Sequence, residues 1–173
     1  MTGPGRLIGV ISDTHGLVRP EAIEALRGSE LIVHAGDIGG PDVLQALREV
    51  APVVAVRGNN DRDDWAKTLK DTEVVRVGDV VLYVLHDLHA LDLDPVAAGF
   101  HAVISGHSHQ PLVEERRGVL YLNPGSAGPR RFTLPIAVAR LLVRGPALEA
   151  EIRTLPAAGR HARADRPHRR LQR

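Results

Sequence analysis

The sequence of 173 residues contains no cysteine, and aromatic residues make up only 3% of it. Without thiols there are no disulfides, no thiolate metal ligands and no cysteine nucleophile, so a metal ion must be held by histidine, aspartate, glutamate or asparagine. The scarcity of aromatic side chains disfavours a protein that stacks nucleic-acid bases on an aromatic platform. These absences leave room for metal chemistry with nitrogen and oxygen ligands.

Long hydrophobic runs and a dominant charge are also missing. The first apolar run, Leu7 to Ile11, is too short for the core of a signal peptide, and no later run approaches the ~20 residues that a membrane span requires. Lysine and arginine number 22 against 21 aspartates and glutamates, and this net charge of +1 gives no overall attraction to nucleic acid or anionic membranes. We therefore expect a cytoplasmic protein with neither a membrane nor a stable nucleic-acid partner.

Short β-branched runs, which are typical of buried strands, recur along the chain at 7–11, 31–33, 53–56, 80–85, 102–104 and 119–122. Between the first three runs, apolar residues at helical spacing predict helices over 20–27 and 41–50. Each of these begins with a proline, which suits the first turn of a helix. Strands that alternate with helices predict a parallel sheet covered by helices.

The second half of the sequence favours antiparallel pairing. Turn residues at Gly78-Asp79, at Arg117-Gly118 and within 144–147 predict three hairpins, and with them a second sheet that faces the first. The predicted fold is an α/β, four-layer α-β-β-α sandwich of two facing mixed sheets flanked by helices, formed by residues 1–156. Residues 157–173, rich in arginine and histidine and without apolar periodicity, are predicted to be a basic, flexible tail.

Metal-capable side chains follow nearly all of these strands, in turns rich in glycine, and strand ends are where α/β sheets bind ligands. Alternate side chains of an extended segment point the same way, so Asp13 with His15, or His107 with His109, can reach one locus if the backbone stays extended there. The candidate ligands are Asp13, His15, Asp37, Asn59, His86, His107 and His109. Seven oxygen and imidazole ligands exceed what one tetrahedral zinc ion takes, so they predict a dinuclear metal site. Two metals ~3.5–4 Å apart suit a displacement at phosphorus and need no serine or cysteine nucleophile.

The same positions resemble a known family. The ordered segments that carry the resemblance are Asp13-Thr14-His15, Gly36-Asp37, Gly58-Asn59-Asn60-Asp61, His86 and Gly106-His107-Ser108-His109. They are similar to the motifs of the calcineurin-like metallophosphoesterase superfamily. Asn123-Pro124-Gly125-Ser126 resembles a further signature of its small YfcE-type phosphodiesterases. The resemblance extends from Leu7 to Leu155.

Carried over by position, the resemblance implies a role for each residue. It assigns one divalent ion to Asp13, His15 and His109, the other to Asn59, His86 and His107, and the bridge between them to Asp37. A metal-bound hydroxide then attacks phosphorus in line, His15 and Asn59 also lie near the phosphate oxygens, and Asp61 orients a ligand or a proton carrier.

The resemblance leans toward Mn²⁺ as the metal, although mixed imidazole and carboxylate sites also accept Ni²⁺, Fe²⁺, Co²⁺, Zn²⁺ or Mg²⁺. A small phosphodiester or phosphomonoester is the implied substrate. A homodimer or higher oligomer is the implied assembly.

Two positions depart from the family pattern. Many members carry a histidine at the position of Asn60, where it can protonate the leaving oxygen, and an amide is a poor general acid. Asp87 stands where glycine is common, and an additional carboxylate near the site either repels anionic substrates or binds metal itself. These departures leave the range of substrates open.

Several other polar residues have simpler interpretations. His34, within a strand, is predicted to be a hydrogen-bonded buried histidine, and His89 and His101 are predicted to be surface or loop residues. The segment 123–126 is interpreted first as a turn with an asparagine cap and second as a substrate contact. Arg130 and Arg131 either solvate a loop or steer a phosphate toward the metals.

The alternative function is a catalytically weak, metal-binding scaffold for protein partners, because the retromer scaffolding subunit has the fold that the resemblance implies. Fold alone does not separate the two functions. A pure scaffold has no reason to retain all seven candidate ligands, and this sequence has all seven. The sequence therefore predicts a metal-dependent phosphoesterase.

Overall fold

The computed structural model describes residues 3–157, which leaves all of the predicted basic tail except Ala157 outside the described residues. Its strands and helices are β1 (Arg6–Ile11), α1 (Pro20–Leu26), β2 (Leu31–His34), α2 (Pro41–Arg48), β3 (Val53–Ala55), β4 (Thr72–Val77), β5 (Val80–Leu85), β6 (Ala102–Ile104), β7 (Leu112–Arg116), β8 (Val119–Asn123), β9 (Ala137–Arg144) and β10 (Ala147–Thr154). Two short 3-10 turns cover Asp64–Thr68 and Leu88–Ala90.

The first sheet has the strand order β10-β9-β1-β2-β3, in which β1, β2 and β3 are parallel and β9 runs antiparallel to β1. Both helices begin at the predicted prolines and lie over one face of this sheet, where Leu26 and Leu47 are buried. No helix within residues 3–157 is long and apolar enough to span a membrane.

The second sheet has the order β4-β5-β6-β8-β7, with β5, β6 and β8 parallel. It faces the first sheet across a core in which Ile8 and Val10 pack in one cluster with Leu82 and Ile104. The α/β class and the two facing mixed sheets are therefore confirmed. The outer layer over the second sheet consists of the turn Leu88–Ala90 and the loop that follows it, rather than an α-helix, within the described chain.

The third hairpin, formed by β9 and β10, differs from the prediction, because it joins the first sheet and not the second. β9 pairs with the free edge of β1, and its residues Ala137, Val138, Ala139 and Leu141 are fully buried between the helix layer and the second sheet. A hairpin pattern shows that two strands pair with each other, but it does not show which sheet they extend.

Candidate metal centre

The loops that carry the candidate ligands meet at one edge of the two sheets. Those after β1, β2 and β3 come from the first sheet, and those after β5 and β6 come from the second. The structure brings the side chains of all seven candidate ligands together there.

One group of donors surrounds His15. Its Nε2 atom lies 3.5 Å from Nε2 of His109 and 4.0 Å from Oδ1 of Asp13. His109 Nε2 lies 3.3 Å from the same Asp13 oxygen. Asp37 Oδ2 lies 3.8 Å from His15 Nε2. The ligand atoms of Asp13, His15 and His109 all lie within 4.8 Å of one another, close enough to hold one metal ion.

The second group surrounds His86. Its Nε2 atom lies 3.0 Å from Oδ1 of Asn59 and 3.3 Å from Nδ1 of His107. The same Nε2 atom lies 3.4 Å from Asp37 Oδ2 and 4.0 Å from Asp13 Oδ1. The Oδ2 atom of Asp37 therefore lies between the two groups, within 4 Å of a histidine in each.

The donor set fits divalent cations. His86 Nδ1 lies 2.7 Å from the carbonyl oxygen of Ala35, which can only accept, so Nδ1 carries the proton and Nε2 turns a lone pair toward Asn59 Oδ1 and Asp37 Oδ2. Asp13 Oδ1 is buried and has no hydrogen-bond partner among residues 3–157. Facing lone pairs repel unless a cation or a proton lies between them. Ligands bound ~2.0–2.2 Å from one ion lie about 2.8–3.6 Å apart, as most of these donors do.

The protonation states suit metal binding, because ligands must be deprotonated. Burial acts to raise the pKa of Asp13 and of Asp37, but the neighbouring side chains of His109 and Ser12 lower the first, and those of His86 and Asn60 hold the second well below its usual range. Burial lowers the pKa of His15. Burial acts to lower the pKa of His86, but the Asp37 carboxylate, the carbonyl oxygen of Ala35 and the charge of Asp13 together raise it, so a proton and a metal ion compete for its Nε2 atom.

The ligand loops turn sharply, which corrects one prediction. The sequence argument required extended backbone at each outer motif, and that condition is not met: Asp13, His15, His107 and His109 all have left-handed φ angles of 47° to 69°, as does Asp37 with 55°. This conformation is uncommon outside glycine and is found at sites whose surroundings enforce it. The side chains converge because the backbone coils at the strand ends.

Asn60 and Asp61 organise the loop that holds Asp37. Asn60 donates its backbone N–H to Asp37 Oδ1 and its side-chain amide to Oδ2, both at 2.9 Å. The buried Asp61 carboxylate accepts backbone N–H groups of Ile38, Gly39 and Gly58 at 2.9–3.1 Å. Sequence reasoning considered Asn60 only as a poor acid and missed its contact with Asp37, which joins loops 23 residues apart.

The segment after β8 supports two of the ligand loops. Asn123 forms the predicted turn by accepting the N–H of Gly125, and its amide donates to the carbonyl oxygen of Gly106 at 2.9 Å. Ser126 donates its hydroxyl to the carbonyl oxygen of Asp13 at 3.0 Å. The buried Arg19 donates to the carbonyl oxygen of Ala127 at 3.2 Å. Sequence reasoning missed Arg19 and, although it named Ser126 within the turn, missed the contact of Ser126 with Asp13, since neither residue has a local pattern that indicates these contacts.

His34 is buried and hydrogen-bonded, as predicted. The Thr14 hydroxyl donates to the carbonyl oxygen of Ile38, so it must accept the Nε2–H of His34 at 3.0 Å, while His34 Nδ1 accepts the N–H of Gly36. His34 therefore connects the loops after β1 and β2 as a neutral imidazole. His89 is exposed and His101 lies in the loop before β6, both as predicted; His101 is partly buried there and accepts the N–H of Val81.

We expect His34 to make the free energy of unfolding depend on pH. Burial lowers its pKa from 6.5 to about 4. Between these values the unfolded chain binds a proton that the folded chain does not, so stability is lost as the pH falls. Urea denaturation of chelator-treated protein should give a free energy of unfolding lower by about 2 to 3 kcal/mol at pH 4.5 than at pH 7.

His34→Gln supplies the control, because the variant cannot titrate. The loss between the two pH values should shrink by about the His34 contribution, whatever the variant's absolute stability. The carboxylates of Asp13 and Asp37 also have lowered pKa values, but their contribution is lost mainly below pH 4.5 because their ordinary pKa is 3.8. An equal loss in both proteins would assign the titration to another group.

A family model for the calcineurin-like phosphoesterase superfamily domain matches residues 7–145. The chain therefore belongs to the calcineurin-like phosphoesterase superfamily, and it is a hydrolase of phosphoric esters. Divalent metals are the cofactors that this family implies, and the carboxylates and imidazoles described above include candidate ligands for them.

Individual relatives agree with this assignment. A probable metallophosphoesterase of Methanothermobacter thermautotrophicus is 43% identical over 157 residues, which cover 84% of this chain and 91% of the relative. Phosphodiesterase YfcE of Escherichia coli is 28% identical over 145 residues, which cover 66% of this chain and 76% of the relative. Vps29 of Entamoeba histolytica, solved in complex with Zn²⁺, matches with a TM-score of 0.63 at 23% identity, over 86% of this chain and 98% of that one. The likeness to Vps29 shows the fold alone.

Proposed function

We propose that this chain hydrolyses a small phosphodiester at a dinuclear metal centre, with Mn²⁺ as the preferred metal. The observation that carries the proposal is the pair of donor groups that share Asp37 Oδ2, 3.8 Å from His15 Nε2 and 3.4 Å from His86 Nε2. Asp13, His15 and His109 would hold one ion, and Asn59, His86 and His107 the other. When bound, two such ions polarise phosphoryl oxygens and lower the pKa of a water molecule.

The residues of this chain position the substrate and the ligands. The side chains of His15 and Asn59 are accessible to solvent, as is that of His107, and the first two can contact the phosphate oxygens. Asp61 and Asn60 hold the Asp37 loop in place through the hydrogen bonds described above. Because the Asn60 amide is a poor acid, we expect leaving groups of low pKa to react fastest.

A cleft of about 850 Å³ beside the donor groups supports a diester substrate. It opens next to Asn59 and His86, and Tyr83 and Leu85 form an apolar part of its lining. A phosphodiester carries a second organic group that a monoester lacks, and this cleft has room for it. Five aspartates in the same lining outnumber its three basic residues, Arg57, Arg62 and Lys67, and this balance disfavours long polyanions such as nucleic acid.

The test is reconstitution of chelator-treated protein with single metals. We expect Mn²⁺ to restore hydrolysis of bis-p-nitrophenyl phosphate, with a higher kcat/KM than for p-nitrophenyl phosphate. His107→Ala removes one ligand and should lower the activity by at least ~100-fold, since losing several kcal/mol of charge stabilisation slows a reaction by that factor or more. Faster hydrolysis of the monoester would contradict the diester assignment.

A protein-binding scaffold is the second candidate, because Vps29, solved with Zn²⁺, shares the fold. Both functions predict metal binding, so turnover separates them. Two bound ions per chain with no turnover of either ester, under any metal tested, would favour the scaffold. The donor groups, complete in all seven members, favour the enzyme.

We also propose that residues 1–156 form the catalytic domain. The family match over 7–145 and the end of β10 at Thr154 support this boundary. Removal of 157–173 should then leave hydrolysis of the small diester unchanged.

A further inference from the structure

His107 is the most exposed of the four histidine donors. Its side chain is 43% exposed, compared with 19% for His15. Its Nδ1 atom faces the donor groups, 3.1 Å from Asn59 Oδ1 and 3.3 Å from His86 Nε2. An imidazole that binds a metal through Nδ1 must carry its proton on Nε2. The group that faces Nε2 therefore decides how well the ring is oriented.

That group is the carboxylate of Asp87, whose Oδ2 atom lies 3.8 Å from His107 Nε2. The other oxygen, Oδ1, accepts the backbone N–H of His89 at 3.0 Å and lies 3.2 Å from His89 Nδ1. The turn that begins after Asp87 thus holds Oδ1 of Asp87 in place, while Oδ2 faces His107.

We propose that Asp87 is a positioning residue for the metal centre: its Oδ2 atom accepts the Nε2–H of His107 and so directs the Nδ1 lone pair at the metal. This inference rests on the proposed dinuclear centre. The 3.8 Å separation exceeds a hydrogen bond by less than 1 Å, and the exposed ring of His107 can move that far. Carboxylate partners of this kind fix the tautomer of a ligating histidine and strengthen its binding to metal.

The geometry separates this role from those that the sequence left open. Asp87 Oδ2 is close to Nε2, whereas the other donors surround Nδ1 on the opposite side of the ring, so the carboxylate lies outside the donor groups. A direct metal ligand would have to lie on the Nδ1 side. His86 has a different partner for its distal nitrogen, the carbonyl oxygen of Ala35 at 2.7 Å.

Isothermal titration of chelator-treated protein with Mn²⁺ and with Zn²⁺ tests the proposal without an activity assay. We expect wild type to bind two ions, and Asp87→Asn to bind one of them about 10- to 100-fold more weakly. Asp92→Asn is the matched control, because it removes the same charge from another exposed residue nearby and should change neither affinity by more than about threefold. Asp87→Glu, which keeps the carboxylate, should recover part of the affinity.

Nitrogen-detected NMR of the imidazoles in Zn²⁺-loaded protein supplies a second measurement. The proton of His107 should be on Nε2 in wild type and should exchange with solvent faster in Asp87→Asn. Equal affinities in wild type and Asp87→Asn, or an equal loss in Asp92→Asn, would overturn the role of Asp87 while leaving the proposed function intact. A wild-type chain that binds neither ion would overturn both.

Discussion

Replacing Asp37 with asparagine is expected to lower hydrolysis of bis-p-nitrophenyl phosphate by about 10³-fold or more. Asp37 Oδ2 lies close to a histidine of each group, 3.8 Å from His15 Nε2 and 3.4 Å from His86 Nε2, nearer to both than the Asp13 oxygen, which is 4.0 Å from each. An amide of the same shape carries no charge with which to hold two cations together, and losing about 4 kcal/mol of electrostatic stabilisation corresponds to this factor. Initial rates at saturating Mn²⁺, together with the number of ions bound per chain, give the result.

The control for this substitution is Asp79→Asn, which makes the same chemical change in the exposed turn between β4 and β5. It should retain wild-type rates. Circular dichroism of both variants establishes that they fold. A folded Asp37→Asn protein with two bound ions and activity within tenfold of wild type would show that Asp37 does not bridge the metals.

Gly58→Ala is expected to disrupt the same centre without changing any donor. A Cβ atom at Gly58 would lie 2.1 Å from the backbone nitrogen of Asp37 and 2.2 Å from its Oδ1 atom. Atoms at such distances overlap, and the backbone of neither loop can shift without a large cost in free energy. The loop that carries Asp37 must therefore move. We expect at least one ion to bind ~100-fold more weakly, measured by titration, with a parallel loss of activity, since small misplacements at a reacting centre are costly.

Gly40→Ala is the matched control, because the position has extended backbone with φ of 173° and no atom within 4 Å of an added Cβ. Its metal affinities should equal those of wild type. Two tightly bound ions in Gly58→Ala would mean that the loops after β2 and β3 can separate without harm to the centre.

The close approach at Gly58 illustrates how this site is built. Asp61 accepts amides from the loops after both β2 and β3, and Asn60 reaches from the second of these loops to Asp37 in the first. Asn123 and Ser126, from the other sheet, hold two further loops. Ligands with left-handed φ angles are strained individually, so the hydrogen bonds between loops must stabilise them.

Much of the fold was predictable from the sequence, because it depends on short-range patterns. The prolines at 20 and 41 and the apolar spacing after them predicted both helices, which end within two residues of the predicted ends. The turns at Gly78-Asp79 and Arg117-Gly118 predicted hairpins that the structure contains. The hairpin of β9 and β10 was recognised but assigned to the wrong sheet, since its partner β1 lies more than 120 residues away.

The sequence by itself determined the chemical content of the site: seven nitrogen and oxygen donors in ordered motifs, without sulfur, after the strands of an α/β fold. Tertiary structure decided how those donors are used. The tertiary structure determines which nitrogen of each histidine faces the centre. It also brings the Asn60 amide into contact with Asp37 and places Asp87 beside the distal nitrogen of His107. The reason is physical: residue type and periodicity are local properties of the chain, whereas each of these contacts joins loops that only folding brings within a few ångströms.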